Sequence, residues 1–263
     1  MILSDFHVHS NFSPDSETAI QDQVLAAINK KLEYICLTDH LEFPDAIFKN
    51  QANEYINQIQ ALKTKFQSQI NILTGLEVSL DSRFNNQISD FIKSYHFDFI
   101  IASQHAINDK DLFLRDCFEN RSEQDVFRDY FENILRNIKL FSDYNVLGHT
   151  DYIIRYAPNK DKYFNPSDYY DLLTQIFKII IERNKGIEIN SSALKHGFEN
   201  PHPSKKILEL YKNLGGEIIT IGSDAHHPDY VAYEFGQVHN LLRDIGFKYY
   251  TVFQSQKPKF LKV

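Results

Sequence analysis

His7 and His9 stand one residue apart at the end of a short β-like run, Ile2–Phe6. Side chains two positions apart on a strand face the same side, so both imidazoles can reach one cation. An HxH pair alone says little. Five further runs of the same kind end on residues of ligand type. Asp39-His40 follows Tyr34–Leu37, Glu77 follows Asn71–Leu76, and His105 follows Phe97–Ala102. His149 follows Asn145–Leu147, and Asp224 with His226 follows Glu217–Ile221. Any single histidine is ordinarily a core or surface residue; their joint fall at strand ends is not what chance gives. Imidazole with carboxylate suits Zn, Fe or Mn, whereas an all-oxygen shell suits Mg or Ca. The set exceeds what one ion of roughly four to six ligands can use, so two or three ions and a bridging carboxylate follow. Centres of this type hydrolyse phosphoesters, with metal-bound hydroxide as nucleophile and the ions neutralising phosphoryl charge. His96, His202, His227 and His239 are left structural: His96 precedes a strand, His239 lies inside a helix, and His227 points away by alternation.

Strand-like runs alternate with amphipathic segments along the whole chain, with two more runs at Gly186–Ile189 and Lys248–Phe253 making eight. Helical patterns span Thr18–Lys30, Asp45–Ser68, Phe84–Tyr95, Ser122–Tyr144, Pro166–Asn184, Ser204–Leu214 and Tyr233–Ile245. In the fourth of these, Val126, Phe127, Tyr130, Phe131, Ile134, Leu135, Ile138 and Phe141 recur at the spacing of one helix face. Asn184-Lys185-Gly186 and Leu214-Gly215-Gly216 place glycine at expected helix stops. Such alternation predicts an α/β fold of parallel strands with helical crossovers, closed as a barrel or open as a doubly wound sheet. Parallel strands of either kind deliver their C-terminal ends to one face, where ligands bind. With no Pro/Ser-rich linker and no repeat, the 263 residues read as a single domain, 1–263. The polar stretch Pro158–Pro166 is either an active-site loop or a surface excursion.

Composition narrows the partners. A formal charge of −7 argues against nucleic acid held on a broad basic face, and the lysines at 160/162, 205/206 and 257–262 read as solvated surface. No run reaches the roughly 20 apolar residues of a membrane span. The opening Met1–His7 lacks the basic region of a signal peptide. Cys36 and Cys117 are the only cysteines and neither belongs to a CxxC pair, so the expectation is a cytoplasmic protein without disulfides or thiolate zinc.

The motifs Asp5-Phe6-His7-Val8-His9, Thr38-Asp39-His40, Gly75-Leu76-Glu77, Ser103-Gln104-His105, Gly148-His149-Thr150-Asp151 and Ser223-Asp224-Ala225-His226 occur in that order. Together they resemble the PHP (polymerase and histidinol phosphatase) superfamily over nearly the whole chain. The resemblance implies a distorted (β/α)7, TIM-like barrel with a trinuclear site. One ion would take His7, His9, bridging Glu77 and Asp224; a second, Glu77, His105 and His149; the third, Asp15, His40 and His226. Aspartate at position 15, where many relatives carry His, is similar to the histidinol-phosphatase branch, as is the segment Glu188–Lys195. Arg155 then corresponds to a phosphate-binding arginine, with Lys195, where that branch commonly has Arg, and His196 beside it. The implied reaction is hydrolysis of L-histidinol phosphate to L-histidinol and phosphate, a step of histidine biosynthesis.

Asp151 is a candidate proton donor to the leaving alkoxide or an orienting partner for a ligating histidine. Glu42 either meets the substrate's ammonium or imidazole or faces solvent. The rival readings are a PHP phosphoesterase for nucleotides or other small phosphate esters, an amidohydrolase, and a metal-binding module without activity. An amidohydrolase does not need Asp39-His40 or the pairing of His226 with Asp224, and no expected ligand is missing for an enzyme. The expected partner is a small phosphate monoester, with neither nucleic acid nor membrane.

Overall fold

The computed structural model describes residues 1–44, 47–108 and 110–263, and every side chain there except that of Ile47. The chain runs through β1 (Ser4–Val8), α1 (Ile20–Asn29), β2 (Tyr34–Leu37), the two-residue β3 (His40–Leu41), α2 (Ile47–Lys65), β4 (Asn71–Ser79) and α3 (Asn85–Lys93). The expected start of α2 at Asp45 lies outside the described residues. β5 (Phe99–Ser103) leads into a small antiparallel pair, β6 (Ala106–Ile107) and β7 (Lys110–Asp111), and then α4 (Glu123–Leu140). There follow β8 (Val146–Leu147), α5 (Tyr170–Glu182), β9 (Gly186–Asn190), the short α6 (Ser192–Lys195), α7 (Lys205–Asn213), β10 (Ile219–Gly222) and α8 (Phe235–Ile245).

The strands pair in the order β1-β2-β4-β5-β8-β9-β10, with β3 beside β4, and every pair in this sheet is parallel. The two ends meet through a parallel bridge from Val8 to Ala225, where His9 N donates to Ala225 O at 2.9 Å and Asp224 N to His7 O at 2.8 Å. The result is a nearly closed, seven-stranded, TIM-like barrel, as the resemblance implied. Because all strands run one way, their C-terminal ends share one rim.

Helix α4 shows how the sequence builds the outer layer. Ser122 caps it, its Oγ accepting from Asp125 N at 3.2 Å, with Glu123 and Asp125 in the first turn to suit the helix dipole. Its face of Val126, Phe127, Tyr130, Phe131, Ile134, Leu135 and Ile138 is buried, each large side chain contributing about 1.5–3 kcal/mol by leaving water. At the end of α5 it is Asn184, at φ 53°, that adopts the left-handed turn, and Gly186 is already in β9. At the end of α7 the expected Gly215 does so, at φ 91°.

The eighth strand-like run lies outside the seven-stranded ring. The run Lys248–Phe253 corresponds to β11 (Tyr249–Gln254), which pairs antiparallel with β12 (Lys257–Lys262) as a hairpin outside the ring. Once Val8 meets Ala225 the ring has no edge left for it. β12 is almost wholly exposed, and its lysines and proline suit a strand that must not recruit a neighbour. Among the described residues no helix is long and apolar enough to cross a membrane.

Candidate active site

The rim of the barrel gathers the ligand-type residues predicted from strand ends. His7 and His9 leave β1 fully buried, with their Nε2 atoms 3.0 Å apart. Asp224, just past β10, puts Oδ1 at 3.2 Å from His9 Nε2 and 3.7 Å from His7 Nε2. Glu77 of β4 brings Oε2 to 3.3 Å from His7 Nε2 and 3.6 Å from His9 Nε2. Its other oxygen, Oε1, lies 3.3 Å from His149 Nε2 and 3.4 Å from His105 Nε2. One carboxylate therefore faces two groups of imidazoles, the geometry a bridging ligand requires. A third group forms at the mouth, where Asp15 Oδ2 is 2.9 Å from His226 Nε2 and 3.6 Å from His40 Nε2. His9 is sandwiched between the rings of His40 and His226, each centroid 4.2 Å away.

Donor chemistry tests whether cations fit here. Glu77 Oε2 is buried without a hydrogen-bond donor, although His40 Nδ1 lies 2.9 Å from it. The sets His7/His9/Asp224, Glu77/His105/His149 and His9/His40/His226 each converge within 4.8 Å, as does His40/Glu42/His105. Such convergence of lone pairs fits divalent ions, and the mixed N/O donors fit zinc, iron or manganese. The charges agree. Burial disfavours a protonated His7, yet Glu188, Glu77 and Asp224 outweigh it and raise its pKa well above the ordinary value. His9, buried and flanked by His226 and His40, is pushed down to about 3. Glu77 and Asp224, despite burial, are held well below the carboxylate range by His7 and its neighbours. Positive charge is what this cluster is built to hold.

A surrounding layer fixes how each imidazole points. Glu188 Oε1 is 2.6 Å from His7 Nδ1, and its Oε2 accepts from His149 N at 3.0 Å. Ser13 Oγ is 3.1 Å from His9 Nδ1 and donates to Asp39 Oδ1 at 2.6 Å, so it receives the proton of His9 Nδ1. Engaging Nδ1 in this way leaves Nε2 free to coordinate. Gly222 makes room for the first contact: a Cβ there would stand 2.3 Å from His7 Cβ and 2.4 Å from Glu188 Oε1. Glu188 was quoted in the sequence motif without a role. Its signal was a carboxylate at an inward position between Ile187 and Ile189.

Against the metal-type groups, a cavity of about 260 Å³ carries Arg155, Lys195 and His196, the residues expected to meet phosphate. Arg155 Nη1 donates to Tyr152 Oη at 3.1 Å, and Lys195 Nζ lies 4.0 Å over the Tyr230 ring. Among the described residues neither cation pairs with a carboxylate. A half-buried guanidinium that faces the cavity without a counter-ion suits an anion.

Two expectations are corrected. Asp151 does not reach the cavity. It is fully buried, Oδ1 lies 2.7 Å from His202 Nδ1, and Oδ2 accepts from Ser204 N at 2.9 Å. It is therefore neither a proton donor facing a substrate nor the partner of His149, and His202, left aside in the sequence, is its mate. Glu42 does not simply face solvent: Oε1 is 2.6 Å from His105 Nδ1. His96 and His227 are exposed, and His239 lies on α8 away from the rim, as the sequence suggested.

The profile of the PHP domain matches residues 5–192. The chain belongs to the PHP family. Among its PHP relatives, the histidinol-phosphatase of Lactococcus lactis is 33% identical over 96% of this chain and 95% of that protein. A probable histidinol-phosphatase of Thermotoga maritima is 28% identical over 95% of each. The crystal structure of the Lactococcus lactis histidinol phosphate phosphatase, complexed with Zn, L-histidinol and phosphate, superposes with a TM-score of 0.88 at 32% identity. It covers 97% of this chain and 98% of that one. A putative histidinol phosphatase from Listeria monocytogenes, at 18% identity and a TM-score of 0.74 over 89% of this chain and 99% of that one, shares the PHP fold.

Proposed function

We propose that this PHP protein is a metal-dependent phosphomonoesterase that hydrolyses L-histidinol phosphate to L-histidinol and phosphate. The observation that carries the reading is the opposition, across one cavity, of a His/carboxylate cluster and two cations without counter-ions, Arg155 and Lys195. Substrate identity is supported by the Lactococcus lactis relative, whose structure holds both products of that reaction.

In this reading His7, His9, Glu77 and Asp224 would hold one ion, Glu77, His105 and His149 a second, and Asp15, His40 and His226 a third. Zinc is the leading choice, as in the Lactococcus lactis structure. Bound divalent ions would supply an activated water and neutralise phosphoryl charge. The chain's own residues do the rest. Arg155 forks onto phosphoryl oxygens and Lys195 adds a point charge beside it. Burial and the charges of Arg155 and Lys195 push His196 down to about 4, so near neutral pH it contributes a hydrogen bond and not a third charge. Glu188, Ser13 and Glu42 keep His7, His9 and His105 turned inward. Residues 1–263 act as one catalytic domain, and the two free, buried thiols Cys36 and Cys117 support a cytoplasmic setting.

The test is phosphate release from zinc-loaded protein across L-histidinol phosphate, nucleotides, sugar phosphates and a phosphodiester. Histidinol phosphate is expected to lead in kcat/KM. A tenfold preference for another monoester overturns the substrate, and no release from any monoester overturns the activity.

A further inference from the structure

Tyr152 touches both halves of the site. His149, Tyr152 and Arg155 are spaced three apart, and the turn Tyr152–Arg155 is a 3₁₀ helix whose Tyr152 N donates to His149 O at 2.8 Å. In a 3₁₀ turn residues three apart eclipse one another, so these side chains stack on one face. The Tyr152 ring lies nearly parallel to the His149 imidazole, centroids 4.0 Å apart at 20°, and His202 abuts it at 5.8 Å and 75°. Its hydroxyl accepts from Arg155 Nη1 at 3.1 Å and lies 3.0 Å from Tyr156 Oη. The Arg155 guanidinium carbon sits 5.3 Å from the Tyr152 centroid and 5.7 Å from that of Tyr156.

Arginine has many rotamers, and ordering one on a ligand costs conformational entropy unless something has already fixed it. For Arg155 the hydrogen bond to Tyr152 is the one polar contact observed among the described residues, so its direction depends on that hydroxyl. The hydroxyl is itself fixed, because its ring is clamped between His149 and His202. We propose that Tyr152 is a positioning residue that sets Arg155 for the phosphoryl group, using the ring of His149 as its backstop. The proposal rests on the phosphatase reading and deepens it. Anion recognition and the metal-type cluster are not separate sites that happen to adjoin; one tyrosine spans them.

The test is a double-mutant cycle of Tyr152→Phe and Arg155→Ala, read as the dissociation constant of inorganic phosphate for zinc-loaded protein by calorimetry and as kcat/KM. Tyr152→Phe keeps the ring and removes only the hydroxyl, so zinc content should stay at the wild-type level. Losing the hydroxyl that holds the charged guanidinium should weaken phosphate binding about tenfold in the wild-type background. In the Arg155→Ala background the same change should do nothing further, since the group it positions is gone. An equal loss in both backgrounds, or none in the wild type, overturns the proposal. Tyr152→Leu, which removes the backstop contact as well, should also weaken zinc binding, and unchanged zinc affinity overturns the link to His149. Phosphate binding does not depend on which ester is hydrolysed. A failed assay on histidinol phosphate with an intact cycle therefore removes the substrate and leaves this inference standing.

Discussion

The Nε2 atoms of His7 and His9 face each other at 3.0 Å, while Glu188 and Ser13 engage their Nδ1 atoms from outside. Two imidazoles so held direct two lone pairs at one point. Without a metal ion, the proton that neighbouring carboxylates keep on His7 lies between the two Nε2 atoms; with an ion there, they are two ligands already in place.

Removing metal should therefore cost stability as well as activity. Zinc at about a thousandfold above its dissociation constant adds roughly 4 kcal/mol to folding. Chelator-treated protein should unfold at clearly lower urea than the zinc-loaded form and recover on adding zinc back. Identical urea midpoints would show that no ion is bound where these rings meet.

Glu188 should matter to zinc although it is not among the expected ligands. Its loss in Glu188→Ala frees His7 to turn, and removing such an orienting carboxylate typically weakens metal binding about 10- to 100-fold. Competition against a chelating dye measures it. His239→Gln, on the outer helix α8, serves as the unchanged control, and parity between the two variants would refute the role given to Glu188.

Asp151→Asn should destabilise the fold without reshaping the pH dependence of catalysis. The amide cannot accept from both His202 and Ser204 N, and an unsatisfied buried group costs about 1–3 kcal/mol. Denaturant midpoints should fall while the limbs of the kcat/KM profile stay in place. A variant of normal stability that lacks one limb would return Asp151 to the chemistry.

His196 gives a pH signature of definite sign. Burial, then Arg155 and Lys195, lower its pKa from 6.5 to about 4. Between those values the unfolded chain binds a proton that the folded chain excludes, so this group's contribution to stability falls as pH drops through that window and is level above it. In zinc-stripped protein His196→Gln removes the effect. The variant should gain on wild type between pH 7 and pH 4.5 in urea midpoints; a constant offset at both values would contradict it.

Much of this architecture could be read from the chain. An apolar run that stops at a histidine or carboxylate marks both a strand and its rim, so the candidate ligands and the face that carries them appear together in the sequence, while closure into a barrel came from the resemblance. Glu188 and Ser13 were harder, since an inward polar residue within a strand or loop looks the same whether it orients a ligand or satisfies the core. His202 was hidden for another reason: its partner Asp151 is far away in sequence, and nothing local announces the contact. The hairpin of β11 and β12 shows a limit of periodicity, which reveals a strand but not the edge it joins.

The barrel closes where β1 meets the segment after β10, and the same meeting brings His7 and His9 to Asp224 and His226. A chain still being made thus exposes its first imidazoles long before the residues that complete their site have left the ribosome. Domains fold as units, and here the unit cannot close until its last parallel strand arrives. The groups that use Asp224 or His226 can therefore be completed only after β10 has been made, however early the histidines of β1 are translated.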